Sequence, residues 1–182
     1  MHSAQLQPGL YDLPYGWQSW RAGLGRIKQN GVHRERELAV LGMAHELGWE
    51  TTDLAELLPE RWREILSVTC PRSLMRYLPD LAAIPRPDAP TKPALRLIEV
   101  KGGKGNGVRG YHLNDRPLAG YLRWAELFDI WLVLPDDLCA PVQAIAAMRC
   151  ERMPDTEAQP YCKYWDDPDA PVLLPFMEAF KL

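Results

Sequence analysis

An unbroken apolar run in the second half of the chain, Ile-Trp-Leu-Val-Leu at residues 130–134, limits what the chain can fold into. Five consecutive apolar residues that end at Pro135 are typical of a strand buried on both faces. Such a strand needs a packed layer above it and another below it. The chain is therefore predicted to be an α/β domain in which helices flank a mixed β-sheet.

The remaining core elements follow from hydrophobic patterning and from glycine and proline positions. Gly48 is predicted to end the first helix, and the glycine cluster at 102–107 to end the clearest strand. Thr52 or Asp53 is a candidate cap for a further helix. In chain order we predict a helix at 33–47, strands at 77–84 and 94–100, a helix at 117–128, a strand at 130–134 and a short helix near 142–148.

Charge is distributed unevenly along a chain whose net charge is only -3. Residues 86–123 hold eight lysines and arginines against three acidic residues, whereas residues 124–182 hold four against eleven. This asymmetry fits a protein that meets a polyanion on one face, and it fits an uneven but solvated surface equally well. The N-terminal arm at 1–30 mixes aromatic and basic residues, which either stack on bases or pack onto the core.

Cysteines and apolar stretches exclude several classes of protein. Four cysteines without a C-x-x-C pair make a structural zinc site improbable. The N-terminus lacks the pattern of a secretory signal, and the longest apolar stretches are too short to cross a bilayer. We therefore expect a cytoplasmic protein with no membrane association.

Two acidic residues and a lysine suggest the chemistry of the domain. Glu99 and Lys101 close the strand at 94–100, and alternation along a strand places both side chains on one face. An antiparallel hairpin with the preceding strand brings Asp80 alongside Glu99. Two adjacent carboxylates repel each other, and a divalent cation such as Mg²⁺ or Mn²⁺ relieves that repulsion. With a lysine to orient water and neutralise charge, this set suits phosphodiester hydrolysis.

The arrangement resembles the PD-(D/E)xK nuclease superfamily, and within it most of all the archaeal Holliday-junction resolvases. The likeness covers about residues 31–135, which we take as the nuclease core. The chain departs from this pattern in three places: an extra helical insertion predicted at 49–70, a loop at 85–93 that is long for the family, and a C-terminal extension at 136–182 packed on that core. The matching segments are Glu35-Arg36-Glu37-Leu38, Arg72-Ser73, Asp80-Leu81-Ala82-Ala83, Ile98-Glu99-Val100-Lys101 and the helix and strand at 118–134.

The resemblance implies a restriction-endonuclease-like fold and a homodimer that cuts DNA, with a branched junction as the first specific substrate. Asp80, Glu99 and the Val100 carbonyl are the implied metal ligands, and Lys101 the residue that serves the attacking water. An acidic residue of the first helix is implied to reach the metal site. The motif favours Glu35 for this role over Glu37, which remains an alternative.

The residues expected to contact DNA lie around this centre, notably in the glycine-rich loop after Lys101. The competing interpretation of that loop is a plain solvated loop. The competing interpretation of His112 is a surface histidine without a role at the site. Tyr121 and Trp124 are interpreted as core residues, and His33 and His45 as lacking the spacing of a metal site. Two other functions stay open, a different nuclease of this superfamily and a non-catalytic DNA-binding or assembly subunit. The predicted DNA contacts are Arg36, Arg72, Ser73, Lys104, Arg109, His112 and Arg116.

Overall fold

A computed structural model describes residues 30–54, 77–88, 94–101, 110–152 and 161–182. It contains a six-stranded mixed sheet, a second sheet of three strands and four α-helices in these residues. The predicted α/β class is confirmed. The N-terminal arm and residues 55–76, where a further helix is predicted, lie outside the described residues. Thr52 and Asp53 are candidate caps for that helix, but both belong to a strand, which corrects this prediction.

The strands of the large sheet are β1 (Trp49–Asp53), β2 (Leu81–Pro85), β3 (Arg96–Val100), β5 (Asp129–Val133), β6 (Leu138–Pro141) and β9 (Leu174–Pro175). They lie in the order β1-β2-β3-β5-β6-β9. Strands β3 and β5 are parallel, and the other neighbouring pairs are antiparallel. The strand predicted at 77–84 is β2, which begins four residues later than expected, at Leu81.

Strand β5 is buried on both faces, as its apolar run predicts. Ile130 and Leu132 belong to one hydrophobic cluster, and Trp131 and Val133 belong to the cluster on the opposite face. Alternation along the strand sends successive side chains to opposite sides. The apolar run therefore forms the centre of two layers rather than one.

A helix layer covers each face of the large sheet. On one face lies α1 (Asn30–Glu46), which contributes Val40 and Ala44 and ends before Gly48 at a φ of +87°. On the other face lie α2 (Asp115–Trp124) and α3 (Val142–Ala147). The three predicted helices within the described residues are thus present. None of these helices is both long enough and apolar enough to cross a membrane.

The C-terminal third contributes strands to both sheets and a helix that packs on the core. Strands β6 and β9 extend the large sheet, and α4 (Phe176–Ala179) places Phe176 in the same cluster as α1. The smaller sheet joins β4 (Tyr111–Asn114) to β8 (Tyr161–Trp165) and β7 (Arg149–Arg152). Residues after 135 therefore contribute two strands to the sheet that contains the strands of the predicted core.

Candidate active site

Two carboxylates face each other across the β2–β3 pair. Asp80 directly precedes β2, and the register of that pair sets Leu81 opposite Ile98. The same register brings Asp80 opposite Glu99. The antiparallel pairing predicted from the sequence is confirmed, and with it the proximity of these two acids.

Asp80 is held at the end of β3 by a backbone hydrogen bond. The Val100 amide donates to Asp80 Oδ2 at 2.7 Å. Burial raises the pKa of Asp80 well above its ordinary value of 3.8, and repulsion by Glu99 raises it further. A carboxyl group in this position is poorly suited to carry a negative charge alone.

Lys101 and Glu99 lie on one face of the chain at the end of β3, as strand alternation predicts. Lys101 Nζ is 2.7 Å from Glu99 Oε1, and the Glu99 residue is only 6% exposed. Lys101 is partly exposed, so its ammonium group lies between the buried Glu99 carboxylate and the solvent.

Tyr121 of α2 completes the surroundings of Lys101. Its hydroxyl is 3.3 Å from Lys101 Nζ, and its ring centroid is 4.7 Å from the same nitrogen. Burial and the nearby charge of Glu99 raise the pKa of Tyr121, so its hydroxyl keeps its proton. Tyr121 is buried, as its assignment to the core predicts, and it also contacts the site, which that assignment missed.

The acidic residue that α1 brings to Asp80 is Glu37, which corrects the choice of Glu35. Glu37 lies one turn before the buried Val40 and so shares the helix face that packs on the protein. Glu35 is two positions away, about 200° around the helix, and is exposed. The sequence motif indicated α1, and the burial of Val40 shows that Glu37 rather than Glu35 lies on the packed face of that helix.

His33 extends the same helix face by one further turn. Its Nε2 is 3.2 Å from Glu37 Oε1, and the ligand atoms of His33, Glu37 and Asp80 all lie within 4.8 Å of one another. The interpretation of His33 as lacking partner spacing is wrong, since His33 and Glu37 are four residues apart. A spacing of four residues places two side chains on one face of a helix, so the sequence itself indicates that His33 and Glu37 are neighbours.

Arg34 ties α1 to β1 beside this group. It pairs with Glu37 Oε2 at 2.8 Å and with Asp53 Oδ2 at 2.5 Å. These two hydrogen bonds raise the pKa of Arg34, which stays charged. One oxygen of Glu37 is thus paired with Arg34 while the other faces His33.

The residues predicted to contact DNA are only partly within the described chain. Arg36 donates to the Leu134 carbonyl at 2.8 Å and pairs with Asp137 at 3.4 Å, so it braces the end of β5. His112 is exposed on β4, opposite Lys163 of β8. Arg96, counted in the basic region, packs over three aromatic rings instead. Outside the described residues lie Arg72, Ser73, Lys104, Arg109 and the side chain of Arg116.

Comparison with known proteins leaves the site to be judged on its own geometry. No protein-family model matches the chain, and the search of curated proteins found no match.

The raised pKa of Asp80 predicts a measurable cost to folding. Because the folded protein holds this proton after the unfolded chain has released it, stability falls as pH rises above 3.8 toward the folded value. Asp80→Asn removes the charge and keeps an acceptor for the Val100 amide. We expect it to raise the free energy of unfolding at pH 7 by roughly 1–3 kcal/mol, the usual cost of a buried polar group that is poorly satisfied.

Urea unfolding in EDTA between pH 4 and pH 8 measures this effect. The gain should shrink as pH falls toward 4, and Asp88→Asn, in an exposed turn, should show no such trend. A variant less stable than wild type across the range would contradict the assigned cost of the Asp80 charge.

Proposed function

We propose that the chain has a restriction-endonuclease-like fold and is a metal-dependent nuclease of the PD-(D/E)xK type that hydrolyses phosphodiester bonds in DNA. The observation that carries the proposal is the meeting of Asp80 and Glu99 across two paired strands with the Lys101 amine beside them. Two acids and an amine at one sheet end are the groups that this hydrolysis requires.

The proposed ligands of an Mg²⁺ or Mn²⁺ ion are Asp80, Glu99 and the Val100 carbonyl. In a strand, the N–H and C=O of one residue point to the same side. Since the Val100 amide donates to Asp80, its carbonyl also faces the Asp80 side of β3. When bound, such a cation polarises a phosphoryl oxygen and lowers the pKa of water. The raised pKa of Asp80 supports the proposal, because a carboxyl group that resists ionisation alone is stabilised by a cation.

Lys101 has the central role among the chain's own groups. Its ammonium orients the attacking water and neutralises negative charge as the phosphorus gains a fifth oxygen. Tyr121 and Glu99 limit where Nζ can lie, through contacts of 3.3 Å and 2.7 Å. A positioned amine loses less freedom when the transition state forms, so these contacts favour catalysis.

Cleavage assays on a panel of nucleic acids test this proposal. Four-way junctions, linear duplex, single-stranded DNA and RNA are each incubated with the full chain in Mg²⁺, Mn²⁺ or EDTA. Cutting of DNA with either metal and none in EDTA is the expected result. Binding without cutting under every condition would contradict the nuclease proposal and favour a DNA-binding or assembly subunit.

The same panel separates the resolvase from other nucleases. A resolvase cuts the four-way junction in preference to its linear arms and acts as a homodimer, which sedimentation of the protein measures. Equal cutting of linear duplex, or cutting at one sequence, would assign the chain to another nuclease type with the same proposed fold.

Glu37 and Glu35 offer a matched pair of variants on one helix. Glu37→Gln is expected to lower the cleavage rate about 10²-fold, the size of effect seen when one group that stabilises developing charge is lost. Glu35→Gln makes the same chemical change on the exposed side of α1 and should stay within about twofold of wild type. Single-turnover rates measure both, and a larger loss for Glu35→Gln would restore the motif's original assignment.

A further inference from the structure

We propose that His33 and Glu37 join Asp80 as ligands of the proposed cation, so that the chain binds Mn²⁺ more tightly than Mg²⁺. The inference rests on the proposed function, since it takes that nuclease's cation as the ligand. It adds a nitrogen ligand that the resemblance does not imply, and it names the ion that the site prefers.

The first support is the convergence of three ligand atoms from two elements. His33 and Glu37 come from α1 and Asp80 from the residue before β2, with their ligand atoms within 4.8 Å of one another. A cation at about 2.0–2.2 Å from each ligand spans such a group, since atoms on opposite sides of it lie about 4.2 Å apart. Glu37 Oε1 faces His33, while Oε2 is engaged by Arg34. Each residue can thus offer one atom without breaking the Arg34 pair.

A second, independent support is the environment of Asp80. It is partly buried, and Val100 donates a hydrogen bond to its Oδ2. Among the described residues, no lysine, arginine or histidine forms an ion pair with it. A carboxylate withdrawn from water is costly to ionise, and the negative charges of Glu99 and Glu37 act on it more strongly than the positive charge of Lys101. A divalent cation supplies further positive charge.

The ligand set decides which divalent ion fits best. Mg²⁺ takes oxygen ligands almost exclusively and gives up its water reluctantly. First-row transition metals accept imidazole nitrogen as well as carboxylate oxygen, and Mn²⁺ is the member of that series best suited to carboxylates. An imidazole among carboxylate ligands therefore favours Mn²⁺ over Mg²⁺.

Direct metal titration of the full chain, without nucleic acid, tests the inference. Isothermal titration calorimetry with MnCl₂ and with MgCl₂ is applied to wild type, His33→Ala and His33→Gln, and Mn²⁺ binding is followed in parallel by loss of its free-ion electron paramagnetic resonance signal. His45→Ala is the matched control, because His45 lies near the other end of α1 and is exposed. Circular dichroism establishes that each variant keeps the wild-type helix content.

We expect wild type to bind Mn²⁺ at least about tenfold more tightly than Mg²⁺, and His33→Ala to lose at least about tenfold in Mn²⁺ affinity. Mg²⁺ affinity should change by less than about threefold in that variant, and His45→Ala should match wild type for both ions. His33→Gln, which offers an amide of similar size, should follow His33→Ala. Unchanged Mn²⁺ affinity in a folded His33 variant, or equal losses for both metals, would overturn the inference.

The outcome for His33 is separable from that of the nuclease proposal. If His33→Ala leaves Mn²⁺ binding intact while wild type cuts DNA with metal, His33 is not a ligand and the nuclease proposal stands. If Mn²⁺ binding depends on His33 but no nucleic acid is cut, the metal site stands and the proposed reaction is wrong.

Discussion

Replacing Lys101 with methionine is expected to reduce DNA cleavage at least about 10³-fold while DNA binding changes by less than about threefold. Methionine keeps an unbranched apolar side chain one atom shorter than lysine and removes Nζ, with its charge and its contacts with Tyr121. Loss of a group that positions water and stabilises charge in the transition state costs about 10²–10⁴-fold. Single-turnover cleavage with saturating metal and a gel-shift titration in Ca²⁺ or EDTA measure the two quantities.

The Lys101 variant needs a control for folding, because it removes the partner of a buried acid. Lys101 Nζ pairs with Glu99 at 2.7 Å, and an unpaired buried carboxylate destabilises the protein. Thermal unfolding with bound metal establishes that Lys101→Met is folded at the assay temperature. Lys181→Ala, an exposed lysine near the C-terminus, should keep the wild-type rate. Cleavage by folded Lys101→Met within tenfold of wild type would exclude Lys101 from catalysis.

Phe180→Ala is expected to lower the free energy of unfolding by about 3–5 kcal/mol, the usual cost of removing a buried phenylalanine ring. Phe180 is fully buried and stacks on Phe176 with ring centroids 4.3 Å apart. Its ring also meets Trp131 of β5 edge-on at 5.2 Å and lies 4.7 Å from the Arg96 guanidinium. One ring near the C-terminus thus joins the last helix to the centre of the sheet.

Urea unfolding measures this loss, and Met177→Ala is its control. Met177 belongs to the same helix and is exposed, so its truncation should change stability by no more than about 0.5 kcal/mol. If Phe180→Ala were equally mild, the C-terminal segment would contribute little to the stability of the fold. A large loss makes it part of the domain that carries the site.

The part of the fold predicted from sequence is the part with strong local patterns. Strand β5 is an apolar run and β3 ends at a glycine cluster, and both are present within one or two residues of their predicted bounds. In contrast, β6 and β9 are short strands that end in proline, and all four residues of β7 are exposed. Their pairing depends on partners distant in sequence, so no local period indicates them.

The residues of the candidate site likewise divide into those that local sequence patterns predict and those that they do not. Strand alternation places Glu99 and Lys101 on one face, and a single hairpin brings Asp80 to them, so three residues follow from local rules. Which residues α1 contributes to the site depends on which face of the helix packs on the sheet. Apolar residues lie nearly all round the helix, so the sequence does not indicate that face. The burial of Val40 and Ala44 identifies the packed face, and Glu37 and His33 lie on it. Tyr121 reaches Lys101 because α2 packs on the Glu99 side of the sheet, which no spacing within α2 reveals.

We propose that Asp80 and its neighbours form a metal-dependent centre that cuts DNA. Removal and return of the metal during cleavage of one DNA substrate tests this in wild type and in Asp80→Asn, with EDTA added during the reaction and then excess Mg²⁺ or Mn²⁺ returned. Wild type should cut, stop and resume, while Asp80→Asn, folded and still bound to DNA, should stay inactive throughout. Cutting by wild type that continues in EDTA, or cutting by Asp80→Asn at the wild-type rate, would contradict the claim.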